Sequence, residues 1–498
     1  MRDLSVYDLF VRNARIYPEQ TAIVQNDIRL SYNQLLTRVD GLASGLTAAG
    51  IQKGDRIGVL AFNDLRFLDV FGAASAVGAI VVPINWRLSM DEIRHILTDC
   101  SPKLLCVDKT HEDRGRELQQ TCGIQDVWGF HDDAVVRIDE RMVAGKPVDR
   151  QPVATDDPFC IIYTAAVGGK ARGAVLSHGN ILAANIQTMA TLPVGPSDSY
   201  LNILPIFHIT GLNLALAVLH AGGKNVILER FDARRTLELI DAESISIIGS
   251  FPPILSTLFS EMEGTVLRTT SLHHVLGLDS PETIARFEAQ TAARFWTLYG
   301  QTETSGLVTF SPARERPGSA GKQGLLIRMQ LVDENETPVP VGEPGEIVVQ
   351  GPLVFQGFWN QPDANRFTFR NGWHHTGDMG RLDADGYLWF AGRKPEKELI
   401  KPGGENVYPA EVEAVILEHP DVDAVSVIGV PDPTFGEGIK AVCVLKPGRS
   451  LSAEALIEFV ATRIARYKKP RYVQFVDTLP KTASGAIDRM KVKERYGA

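Results

Sequence analysis

Two short apolar runs, RIGVLAF at 56–62 and AIVVPIN at 79–85, flank the helical stretch DLRFLDVFGAASAVG. Both runs are apolar at nearly every position rather than at alternate ones, which predicts strands covered on both faces. Such strands joined through a helix form a βαβ unit, whose strands lie parallel in a sheet clad by helices. The same texture recurs in KLLCVD, CIIYTA, YLNILPI, NVILER, SISIIGS and HHVLGL, extending an α/β body over residues 1 to about 310. Upstream, Ser31 and Gln34 have capping-box spacing, and Leu35, Leu36, Val39, Leu42 and Leu46 follow at helical intervals until Gly50. That predicts an amphipathic helix.

From about 320 the texture changes. LLIRMQLVD, GEIVVQG and GYLWFAG are short runs between Gly and Pro turns, which predicts a β-rich subdomain at about 320–391. After the charged stretch GRKPEKELIKPGGEN, the strand-like VSVIGV, KAVCVLK and YVQFVD and a helix over 452–466 predict a small α+β domain. The expected class is therefore α/β. A large multi-subdomain N-terminal body with parallel sheets occupies residues 1–396, and a small C-terminal domain occupies 397–498.

A chain of 498 residues, 44% of them apolar, has the material for more than one domain. Its 51 basic and 60 acidic residues give a net charge of -9, which argues against nucleic acid as a partner and means that a polyanionic ligand needs a local basic site. Cys100, Cys106, Cys122, Cys160 and Cys443 are odd in number with no CxxC pair, so neither a disulfide framework nor a zinc site is expected. The acidic start MRDLSVYDLF is unlike a signal peptide, and no run approaches about 18 apolar residues, so no transmembrane segment and a cytoplasmic location are expected.

Several stretches carry groups suited to a nucleotide. YTAAVGGKARG at 163–173 combines Gly168, Gly169 and Gly173 with Lys170 and Arg172, the ingredients of a phosphate-cradling loop, although it lacks Walker A order and could equally be a basic hairpin. YGQTETSG at 299–306 sets Thr302 beside Glu303 after an apolar run, a hydroxyl and a carboxylate suited to magnesium arriving with phosphates; a solvated loop is the ordinary alternative. In WHHTGDMG at 373–380, Asp378 reads as a glycine-flanked turn residue able to hold a sugar diol, or as an ordinary turn aspartate. His374 and His375 lack metal-ligand spacing and a third partner. LPIFHITG at 204–211 puts Phe207 and His208 just after a strand, where they line a pocket or join the core.

In combination and in order, these stretches resemble the superfamily of AMP-forming acyl-CoA synthetases, luciferases and carrier-loading adenylation domains over nearly the whole chain. The match takes in the loop at 163–173, PIFHITG, YGQTET, the pair Gly345 and Glu346, HTGD at 375–378, the pair Gly392 and Arg393, GGENVYPAEVE at 403–413 and PKTASGAIDR at 480–489. The resemblance implies a two-step reaction. A carboxylate attacks the α-phosphorus of ATP, with Mg2+, to give acyl-AMP and pyrophosphate; a thiol, that of coenzyme A, then displaces AMP. Carried over, Thr164, Gly168, Gly169 and Lys170 hold phosphates, Thr302 and Glu303 face the α-phosphate and magnesium, and Gly277, Tyr299 and Gly300 line the adenine. Asp378 and Arg393 hold the ribose, and His208 lies between acyl pocket and thiol entrance. Gly403, Gly404, Glu405 and Asn406 belong to the coenzyme A side, with Tyr408 nearby, and the C-terminal domain swings about a hinge at Lys397. The implied partners are a small carboxylic acid, medium-sized and apolar (fatty, alicyclic or aryl), ATP and coenzyme A; the resemblance leaves room for a homodimer.

Three departures stand out. The family places a lysine after Gly485 that reaches the α-phosphate and carboxylate during adenylation, and this chain has Ala486. Such a cation is worth roughly 3 to 4 kcal/mol, or about 100 to 1000-fold in rate. Pro480, Gly485, Ile487 and Arg489 keep the pattern, which favours an isolated Lys→Ala substitution over drift; the first step should then be impaired and the second spared. The phosphate loop carries Ala165, Ala166, Val167 and Gly168 where the family has hydroxyls, and a GGAP-type segment appears only as GLDSP at 277–281. The alternatives are loading of a separate carrier protein, or a nucleotide-binding pseudoenzyme that kept the fold without the chemistry.

Overall fold

The structure, a computed structural model, describes residues 3–131, 133–134, 136–143, 151–164, 170–263, 269–394, 399–482 and 487–497. Gly168, Gly169, Lys397 and Ala486 lie outside these residues, as do Ala165, Ala166 and Val167. Two large sheets form the body. The eight-stranded sheet runs from Thr309–Pro312 through Arg294–Tyr299, His274–Gly277, Ile247–Ser250, Ser199–Asn202, Lys224–Ile227 and Thr21–Gln25 to Ile28–Ser31. Its interior is parallel and its two edge pairings are antiparallel.

The seven-stranded sheet runs from Gly357–Phe358 through Arg172–Ser177, Pro158–Thr164, Ile80–Pro83, Arg56–Leu60 and Leu104–Val107 to Asp126–Gly129. Arg56–Leu60 and Ile80–Pro83 pair in parallel across the helix Leu65–Val77, the βαβ unit expected from their apolar runs. Every residue of Leu65–Val77 except Arg66 is buried, because one apolar cluster fills the space between both sheets and the helices on them. The helix Tyr32–Ala48 starts on the Ser31–Gln34 capping box and buries Leu35, Val39, Leu42 and Leu46.

Residues beyond 320 build a five-stranded antiparallel sheet from Arg328–Val332, Gly345–Gln350, Trp373–Leu382, Phe369–Arg370 and Leu388–Arg393. One short strand inside that span, Gly357–Phe358, leaves it and closes the edge of the seven-stranded sheet. The last hundred residues have their own three-stranded sheet, Val422–Asp432, Gly436–Leu445 and Tyr472–Phe475, and their own apolar cluster around Ile400, Val412, Val427 and Leu456. The helix expected over 452–466 stops at Ala461. The reason is a tertiary bond: Ala465 turns extended and its N–H donates to Glu92 in the body, 3.2 Å away, instead of to a helix carbonyl.

Candidate active site

A cavity of about 1110 Å³ opens between the body and the small C-terminal domain. Its body wall is made by the segments that follow the parallel strands: Phe207 and His208 after Ser199–Asn202, Phe251 after Ile247–Ser250, Leu278 after His274–Gly277, and Gly300 after Arg294–Tyr299. Carboxyl ends of parallel strands are where open α/β sheets hold ligands, because the connecting loops diverge there. The cavity brings together Thr164, Lys170, His208, Tyr299, Gly300 and Thr302 with Arg393 and with Gly403, Gly404, Glu405 and Asn406. Residues separated by up to 242 positions thus line one cavity.

Asp378 joins the cavity through its partners. Its Oδ2 accepts from the Tyr299 hydroxyl at 2.8 Å and Gln301 Nε2 at 2.7 Å, and Arg393 Nε lies 3.0 Å from Oδ1. A carboxylate offers about four lone-pair sites, of which these partners take three; Asp378 itself is buried and borders the cavity through Tyr299, Gln301 and Arg393 rather than lining it. Burial raises the pKa of the Tyr299 phenol, and the Asp378 charge adds to the rise, which keeps the phenol a donor. Contrary to the turn expected from its flanking glycines, Asp378 lies inside the long strand Trp373–Leu382. Gly377 takes a φ of +71° there and the ladder shifts register beyond it, so glycine bends a strand rather than closing a turn.

Thr302 and Glu303 stand in the 3-10 turn Thr302–Thr304 directly after Arg294–Tyr299. Among the described residues no group of three or more His, Cys, Asp or Glu could hold a metal ion by itself. Glu303 brings a single carboxylate to this turn, and it is Thr302 beside it that lines the cavity. Gly277 has a packing role: a Cβ there would lie 1.7 Å from the Ser250 carbonyl oxygen. His374 and His375 are buried, His375 Nδ1 lying 3.1 Å from Glu346.

Glu405 carries the C-terminal domain into the site. Its Oε1 lies 3.2 Å from His208 Nε2 and accepts from Arg87 Nη1 at 3.1 Å, while Oε2 accepts from Asn85 Nδ2 at 3.3 Å. Burial opposes its ionisation, but the charges of His208 and Arg87 outweigh it and hold the carboxyl below its ordinary range. Gly403 and Gly404, at φ of +58° and +87°, bring the loop backbone against Pro252 and Phe251. His208 is the N-cap residue of Ile209–Ala221 and makes no capping bond, which leaves its ring to face the cavity.

A second contact locks the same orientation. Lys468 of the small domain, 5% exposed, sits 2.5 Å from Glu92 of the body and 2.5 Å from Glu411 of its own domain. Tyr408 stands near Glu303: burial raises its phenol pKa and the Glu303 charge adds to the rise. Sequence reasoning missed Arg87, Gln301, Glu92 and Lys468. Each acts through a partner far along the chain, and no local spacing marks such a pairing.

The AMP-binding enzyme family matches residues 10–359, and the AMP-binding enzyme C-terminal domain matches residues 411–486. The chain belongs to the AMP-binding enzymes. It is a member of the adenylate-forming acyl-CoA synthetase superfamily, an AMP-forming carboxylate–CoA ligase by class, whose substrates include ATP and coenzyme A. The enzyme is 34% identical to a feruloyl-CoA synthase of an Amycolatopsis species over all of both chains. It is 34% identical to an indoleacetate–CoA ligase of Aromatoleum aromaticum over 97% of this chain and 96% of that one. Among solved structures it resembles the o-succinylbenzoate CoA synthetase of Bacillus subtilis. The enzyme superposes on a double mutant of that protein bound with its product analogue OSB-NCoA at a TM-score of 0.88, with 28% identity and 99% of each chain covered. On the same protein in complex with the acyl-adenylate intermediate OSB-AMP, the TM-score is 0.72 at 27% identity and 99% of each chain.

Proposed function

We propose that this AMP-forming ligase activates a medium-sized apolar carboxylic acid, aryl in the first instance, as acyl-AMP and transfers it to coenzyme A. One observation supports the reading: Thr164, Lys170, His208, Tyr299, Thr302 and Arg393 line a single cavity together with Glu405, which reaches His208 across the domain boundary. Phe207, Phe251, Ile254, Leu278 and Leu298 give that cavity an apolar wall, which favours an acid without a second charge at its far end. The aryl acids named for two of the relatives support the same class.

Within this reading Asp378 and Arg393 hold the ribose, Tyr299 and Gly300 flank the adenine beside Gly277, and Thr302 and Glu303 face the α-phosphate with Mg2+. Thr164 and Lys170, with Gly168 and Gly169, take the outer phosphates. Gly403, Gly404, Glu405 and Asn406 guide the thiol past His208. The body spans 1–396, the C-terminal domain spans 397–498, and Lys397 is the hinge between adenylation and thioester orientations. At position 486 this chain carries alanine in place of the adenylation lysine. Its first step is slowed about 100 to 1000-fold while thioester formation from supplied acyl-AMP persists.

The test is acid-dependent pyrophosphate release across a panel of aryl, alicyclic and fatty acids, for the native chain and Ala486→Lys, with thioester followed by mass spectrometry. A rise of hundreds-fold with lysine, and thioester with an aryl acid, is expected. No release from either form with any acid would favour the pseudoenzyme alternative.

A further inference from the structure

The pair Gly345 and Glu346 belongs to the sequence pattern but has no part in the chemistry described so far. Glu346 is the second residue of the strand Gly345–Gln350, and its side chain is 3% exposed. Its Oε1 accepts from the Gly377 N–H at 3.1 Å. Its Oε2 accepts from Lys394 Nζ at 2.6 Å and Arg370 Nη2 at 3.2 Å, and lies 3.1 Å from His375 Nδ1. A buried carboxylate is costly to desolvate, and these partners offset that cost.

What Glu346 grips is specific. Gly377 precedes Asp378, and Lys394 follows Arg393. The two gripped residues are also joined to each other, since the Lys394 N–H donates to the Gly377 carbonyl at 3.0 Å. Glu346, Gly377 and Lys394 therefore close a ring of hydrogen bonds. Immediately next to it, Asp378 and Arg393 face each other as ladder partners, their side chains 3.0 Å apart.

The ladder itself leaves this geometry loose. Its register shifts between Glu346 and Val348 on one side of the strand Trp373–Leu382, and between Met379 and Gly380 on the other. Gly377 adds a left-handed residue between them. Regular strand pairing would fix a backbone direction; here it is interrupted on both flanks of Asp378, and the carboxylate supplies the missing restraint.

We propose that Glu346 is a positioning residue: through Gly377 and Lys394 it sets the spacing of the Asp378–Arg393 pair for the two ribose hydroxyls of the nucleotide. The inference rests on the reading above, in which that pair holds the ribose. It also makes Lys394 a fixed point from which the chain departs toward the C-terminal domain.

The test uses the chain as it stands, since nucleotide binding does not require the adenylation lysine. Titration calorimetry gives the affinity for AMP and for 2′,3′-dideoxy-AMP in the native chain, Glu346→Gln, Lys394→Met and Asp378→Asn. A general loss of packing weakens both nucleotides alike; loss of ribose positioning removes only the preference for AMP. The native chain is expected to prefer AMP at least 10-fold, and Glu346→Gln and Lys394→Met to reduce that preference to less than threefold. If Asp378→Asn removes the preference while Glu346→Gln and Lys394→Met keep it, the role of Glu346 is overturned and the ribose reading stands. If the native chain has no preference, or Asp378→Asn leaves it intact, the ribose reading itself fails. Lys394→Met perturbs the same ring from the exposed side, so it decides the matter should Glu346→Gln fail to fold.

Discussion

Glu405 Oε1 lies 3.2 Å from His208 Nε2, so a carboxylate of the C-terminal domain meets an imidazole of the body at the inner wall of the cavity. Arg87 meets the same oxygen at 3.1 Å. Glu405→Ala leaves Arg87 and His208 without this partner, a change worth about 1 to 3 kcal/mol. Thioester formation from supplied acyl-AMP should slow about 10-fold or more, while acyl-AMP affinity stays within about twofold. Rapid-mixing kinetics with varied coenzyme A checks this; an unchanged thioester rate would contradict it.

Lys468 stands between Glu92 and Glu411. Replacing it by methionine leaves two carboxylates facing each other in a largely buried contact, and breaking buried ionic contacts of this kind costs about 3 to 5 kcal/mol. Lys468→Met should therefore undock the C-terminal domain. Small-angle X-ray scattering is expected to give a larger radius of gyration than for the native chain, and superimposable profiles would count against the lock.

A Cβ on Gly300 would lie 2.2 Å from the Gly306 carbonyl oxygen. Gly300→Ala must push apart the segments that frame Thr302 and Glu303, at a cost of about 1 to 3 kcal/mol. AMP binding should weaken at least as much as the fold does. Gly195→Ala serves as the control, because a Cβ there meets nothing within 4 Å. Equal melting temperatures and AMP affinities for the two variants would refute the steric argument.

Burial works against ionisation of Glu346, yet hydrogen bonds from His375 and Lys394 prevail and hold its pKa at about 2, below the ordinary 4.5. The folded state therefore favours the charged form. Its contribution to stability is full above about pH 4.5 and disappears as the pH falls from there toward 2. The melting-temperature gap between the native chain and Glu346→Gln should be widest near pH 7 and narrow below pH 4.5. A gap that widens on acidification would reverse the sign of this argument.

Local chemistry made much of the fold legible before the structure. The Ser31–Gln34 box and the apolar spacing to Leu46 specify a helix through contacts within four residues, and the doubly apolar runs specify buried parallel strands. Placement at the cavity was legible where a motif meets the end of a strand, as at His208 and Tyr299. It was not legible where a tertiary contact decides. Asp378 looked like a turn residue because glycine signals a bend without saying whether neighbouring strands pair across it. The helix after residue 452 looked longer because nothing near Ala465 in the sequence announces Glu92, 373 positions away.

The cavity belongs to neither domain alone. Its inner wall is built at the carboxyl ends of the parallel strands, but its other wall is a loop held by ionic contacts and two left-handed glycines. The pocket is thus a property of docking rather than of either fold: it has this form only while Lys468 and Glu405 keep their partners in the body.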